Sequence, residues 1–156
     1  MYFNCPEQLA GFARIDFYLL TETSQWPFVV NDTNAGSIVI TPKDTIKVDG
    51  SIDPESINVT DDSKLDDSGN IWPIDIQFVY LYRGLAMEQL LEENAGKPGI
   101  AIGHLQDGTC KLFGNDKEPV YLSWNNNYGV KPEDKHGVLI KIKGEQTQRP
   151  VYLNNT

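Results

Sequence analysis

Histidine and cysteine are nearly missing from this chain, which has two of each in 156 residues. Cys5 and Cys110 are too few for a disulfide framework and lack metal-ligand spacing, so each is expected to be a reduced structural thiol. His104 and His136 have no Cys, Ser or Glu nearby at a spacing that suggests a catalytic triad or a metal site. A Gly-rich phosphate loop is missing too, because Gly96-Lys97-Pro98-Gly99 has the wrong spacing and a Pro where a helix should begin. No apolar run approaches the roughly 18–20 residues that span a bilayer. The first residues, Met1 to Glu7, lack the basic and apolar regions of a signal peptide. These absences predict a protein with no catalytic, cofactor-binding or metal-binding residues, not membrane-bound, and assembled in a cytoplasm.

Positive charge is scarce in one half. Through Tyr80 there are 4 basic and 13 acidic residues, whereas from Leu81 onward there are 9 of each, so the net −9 sits entirely in the first half. An acidic surface repels phosphates, which argues against specific nucleic-acid binding through that half. The densest acidic stretch holds Asp61, Asp62, Asp66 and Asp67, followed by the turn residues Ser68-Gly69-Asn70. Mutual repulsion predicts a flexible surface loop over 61–70, a candidate interaction surface ordered by a partner. The same carboxylates miss the register of a Ca²⁺-binding EF-hand loop.

What remains is β-pattern. Ala13, Ile15, Phe17 and Leu19 alternate with polar neighbours, the period of a half-buried strand. Ile74, Ile76, Phe78, Tyr80 and Tyr82 do so more strongly, and Val79 and Leu81 predict that this strand ends buried on both sides. Shorter strands are expected at Trp26–Val30, Ser37–Thr41, Thr45–Val48, Ser56–Thr60, Pro119–Trp124, Gly137–Lys143 and Arg149–Leu153. Pro150 places the last of these at a sheet edge. Ile100–Gln106 and Thr109–Gly114 flank Asp107-Gly108, predicting a hairpin with a type I′ turn. One segment, Leu85 to Ala95, has helical spacing in Met87, Leu90, Leu91 and Asn94, and Gly96 and Pro98 end it. The chain therefore reads as a single mostly β domain, an antiparallel sandwich or barrel with one flanking helix.

Trp124-Asn125-Asn126-Asn127-Tyr128-Gly129 admits two readings. Trp124, Asn126 and Tyr128 could present aromatic faces and amides to a sugar, or form a turn with the aromatics in the core.

The run Gly84–Leu91, then Gly99–Ile102, then Gln106–Gly114 resembles small structural proteins of Bacteroidetes phages and prophages. So do the closing strand Gly137–Gly144 and the tail Arg149–Leu153. The likeness covers the C-terminal half and rests on hairpin chemistry; the first half matches no family in this way. It implies a non-enzymatic structural component of a tailed phage virion, in the tail tube, tail hub or neck. Such a subunit would form oligomeric rings with copies of itself and contact other virion proteins, the acidic half facing a DNA conduit. The alternative is a monomeric β-sandwich module that binds a carbohydrate or a protein.

Overall fold

The computed structural model describes residues 11–41, 56–67, 69–81, 85–127 and 137–153. Its longest strand, β6 (Gly69–Tyr80), forms where the sequence alternation is cleanest: Ile74, Ile76, Phe78 and Tyr80 are buried, and Asp75, Gln77 and Val79 between them are half-buried. β10 (Gly137–Gln146) runs antiparallel beside it, with Val138, Ile140 and Ile142 pointing to the same face. From there the ladder continues through β9 (Val120–Asn127) to β7 (Pro98–Leu105). β7 also pairs with β8 (Cys110–Phe113), which carries β11 (Val151–Leu153), and along its other side with β1 (Phe12–Leu19). β4 (Asn58–Thr60) and β5 (Lys64–Asp66) complete the sheet against β6. β2 (Thr23–Ser24) and β3 (Val39–Ile40) form a separate small pair.

The large sheet curls into a half-barrel, so inward residues from strands far apart in the ladder meet. Ile15, Phe17, Ile76, Phe78, Phe113 and Ile140 belong to one inner cluster. The helix α1 (Leu85–Asn94) adds Met87 and Leu91 to it. Gly96, just beyond the helix, has φ +75, the left-handed conformation that ends a helix without a Cβ penalty. Gly103 serves packing instead, since a Cβ there would lie 2.5 Å from the Phe12 ring.

A second cluster lies on the opposite face, against β1, β7, β8 and β11. Ile100, Ile102, Cys110, Leu112 and Val151 meet Val30, Ala35, Trp26, Ile38 and Ile40 from the segment that follows β1. Among the described residues, this second layer covers the outer face at the end of the sheet formed by β1, β7, β8 and β11. At the other end the sequence pattern fails: Leu81, expected to be buried, is 41% exposed and lies outside the second cluster.

Other expectations change for local reasons. Trp26–Val30 contains no strand; Trp26 and Val30 pack onto the face of the sheet, which needs hydrophobicity but no ladder, and Phe28 and Val29 are exposed. Ser37–Thr41 is extended only at Val39–Ile40, following a 3₁₀ turn at Ala35–Ser37. Within 61–70, expected as a loop, Lys64–Asp66 form β5 and Gly69–Asn70 begin β6, with Lys64 facing Ile71 and Leu65 facing Asn70, whereas Asp61–Ser63 carry no strand. The hairpin between β7 and β8 is present, but Asp107 has no positive φ while Gly108 has φ +92. The Gly108 N–H donates to the Leu105 carbonyl and the Leu105 N–H to that of Thr109, giving a three-residue loop closed by a left-handed Gly, not a type I′ turn. The expected strand at Thr45–Val48 lies outside the described residues, as do Cys5, Tyr82, Tyr128 and His136.

Candidate functional site

The chemistry-bearing side chains that the fold gathers lie on the outer face of β1, β7 and β8. Arg14 faces His104 across the β1–β7 ladder, and His104 faces Cys110 across the β7–β8 ladder, so the three stand in one row. Asp16 stands two residues further along β1. The register shift between Phe12 and Arg14 sends Phe12 to the inner cluster and leaves Arg14, Asp16 and Tyr18 on the outer face.

Within this row the contacts are close. Asp16 is 2% exposed, and its Oδ2 accepts a hydrogen bond from Arg14 Nη2 at 2.9 Å. The same oxygen lies 3.0 Å from His104 Nε2, and His104 Nδ1 lies 3.2 Å from Cys110 Sγ. A carboxylate can only accept, so Nε2 carries the proton donated to Asp16, and Nδ1 is left to accept from the Cys110 thiol. Arg14 Nη2, 3.0 Å from the same Nε2, shares the Asp16 oxygen with it. Asp16 Oδ1 is buried without a hydrogen-bond partner among the described residues. Tyr18, next on the same face, has its phenol pushed above its ordinary value, first by burial and then by the negative charges of Asp16 and Glu22.

Chemically this is a thiol, an imidazole and a carboxylate in the order that lets a base act on sulfur and a carboxylate orient the base. Sequence reasoning missed it. The spacing of His104 and Cys110 in the sequence suggests no site, yet the turn over Gln106–Gly108 folds Cys110 directly opposite His104. The hairpin register carried that signal, since residues flanking a short loop at equal distance become cross-strand neighbours. Arg14 and Asp16 were legible only as polar positions on β1.

Beside this row, Ile100, Ile102, Leu112 and Leu153 with Ile38 and Ile40 line an apolar cavity of about 200 Å³. Among the described residues, no group of three or more His, Cys, Asp or Glu side chains could hold a metal ion.

The residues singled out from sequence fall on other parts of the sheet. Asp61 forms an ion pair with Lys111 at 2.6 Å, both side chains largely covered. This contact links the β4 end of the curl to β8. Asp62 is exposed, Asp66 pairs with Gly69, and Asp67 lies in the turn that follows β5. Trp124 to Asn127 are strand, not loop. Trp124 is half-buried against the inner cluster, and Asn126 donates to Glu88 Oε1 of α1 at 2.8 Å. The acidic residues and the Trp124–Asn126 pair therefore do not form one site.

No protein-family profile, curated protein or solved structure matches this chain.

Proposed function

We propose that the chain is a non-enzymatic structural subunit of a tailed-phage virion, in the tail or neck, that assembles with copies of itself and other virion proteins in the bacterial host cytoplasm. The observation that carries the assembly part is the hairpin of β5 with the start of β6. β10 pairs with β6 only from Trp72 onward, so Gly69–Ile71 and their partner β5 overrun the main sheet by three residues. A two-stranded ribbon is marginal by itself, and the edge of β5, which pairs with no second strand among the described residues, offers backbone donors and acceptors to another chain. Leu65 on this ribbon is 80% exposed. Lys64 and Asp67 beside it are exposed as well, a composition that favours a defined partner over indiscriminate stacking. The virion part rests on the resemblance of the C-terminal half, and the acidic first half suits a surface beside DNA that must not retain it.

The glycan-binding alternative has less support, because Trp124 is packed against the core and the Asn126 amide is engaged by Glu88.

The test is the mass of the purified protein by light scattering behind a sizing column, with electron micrographs of any large species. Rings or tubes that disappear in Leu65→Asp, with the thermal melt unchanged, are the expected result. A monomer that also fails to add to capsid, neck or tail preparations would overturn the reading.

A further inference from the structure

The geometry points to a second property, independent of assembly: we infer that Cys110 is a peroxide-reactive thiol, activated by His104 and Asp16 and oxidised stoichiometrically to a sulfenic acid. Two observations carry this. Cys110 Sγ is 3.2 Å from His104 Nδ1, a base positioned to take the thiol proton. His104 Nε2 is held at 3.0 Å by the buried Asp16, which fixes the ring and stabilises it once it has gained that proton.

Access selects the oxidant. Cys110 is 4% exposed, whereas the His104 side chain is 29% exposed and the neighbouring turn residues Gln106 to Thr109 are exposed. The nearest exposed positions are therefore on the turn side, and burial of the sulfur favours a small oxidant over a bulky disulfide. In the reaction, Nδ1 takes the thiol proton and the sulfur attacks one peroxide oxygen. An S–O bond forms as the O–O bond breaks, and the departing hydroxide takes the proton from His104 and leaves as water. Sulfur loses two electrons and hydrogen peroxide gains them, so thiol plus peroxide gives sulfenic acid plus water.

The experiment uses the full chain with Cys5→Ser, so that one thiol remains. Hydrogen peroxide is added at neutral pH, the sulfenic acid is trapped with dimedone, and the adduct is followed by mass. The folded protein is compared with the same chain in urea. We expect the folded thiol to react faster than the unfolded one, by about tenfold, in line with a thiol whose proton has a positioned acceptor. A folded thiol that reacts no faster than the unfolded one would identify Cys110 as an inert core residue and overturn the inference. His104→Gln, checked for folding by circular dichroism, should remove the acceleration. A folded H104Q as reactive as its parent would overturn the role given to the imidazole. If H104Q does not fold, the folded-against-unfolded comparison still decides.

Discussion

Asp32 shows how one carboxylate can hold two parts of the chain together. Its Oδ1 accepts the Tyr152 backbone N–H at 2.8 Å, and its Oδ2 meets Arg149 Nη2 at 2.6 Å, joining the segment after β1 to β11. The Tyr152 amide, then the Arg149 guanidinium, hold the Asp32 carboxyl below the ordinary carboxylate range. The folded value is lower than the unfolded one. The stabilisation is therefore fully present above the unfolded value and is lost as pH falls through the folded one. The Asp32 side chain is 44% exposed, so screening limits the effect to about 1 kcal/mol or less. Asp32→Asn should leave the melting temperature nearly unchanged in acid and lower it slightly at neutral pH. Equal lowering at both pH values would show that the carboxylate charge is not what matters. The Tyr152 N–H would otherwise be an open donor on an edge strand, so Asp32 also closes part of that edge.

At the level of elements, close approach of backbones fixes the ladder between β6 and β10. A Cβ added to Gly137 would lie 2.3 Å from the Tyr80 carbonyl oxygen, and backbone cannot move aside as a side chain can. Gly137→Ala should cost about 1–3 kcal/mol in urea unfolding, in the range of overpacked positions. A neutral result would mean the strand end relaxes freely. Period-2 strands were legible for a related reason. In β1 and β6 alternate residues enter the inner cluster, so the sequence records the face directly. Trp26–Val30 was misleading because residues packed on a sheet and residues within one share the same apolarity. Segment 61–70 was misleading in the opposite way: its charges hid a hairpin whose backbone pairing is indifferent to side-chain polarity. The Arg14–His104–Cys110 row was invisible until the register of three strands was known. No single segment contains it, and the short loop after β7 was its one local clue.

For the molecule as a whole, closing the curl depends on more than the ladder. Asp61 and Lys111 pair at 2.6 Å between the β4 side and β8, with side chains 25% and 17% exposed. Lys111 Nζ also lies 5.2 Å from the centre of the Tyr152 ring. The pair joins sheet regions separated by four intervening strands, so it should respond to salt less than an exposed pair does. A double-mutant cycle with Asp61→Asn and Lys111→Met should give a coupling of about 1 kcal/mol that largely persists in high salt. Coupling near zero would leave the inner cluster as what holds the curl.

The cover over the outer face behaves differently from that inner cluster. Residues 20–41 are held by the second cluster and by a few side-chain ties: Arg149 to Asp32, Lys117 to the Phe28 carbonyl at 2.7 Å, and Gln148 to the Val30 carbonyl. At its tip, Phe28 is 86% and Val29 55% exposed. The molecule should consequently possess two opening free energies, one for peeling back this flap and a larger one for global unfolding. Native-state hydrogen exchange in mild urea should release the amides of 20–41 before those of Ile140 and Ile142. Simultaneous release would mean a single cooperative unit. With two units, partial opening would bare Ile100, Ile102, Leu112 and Cys110 while the barrel interior stayed intact. The flap would then act as a gate whose equilibrium sets how often that face of the sheet meets solvent.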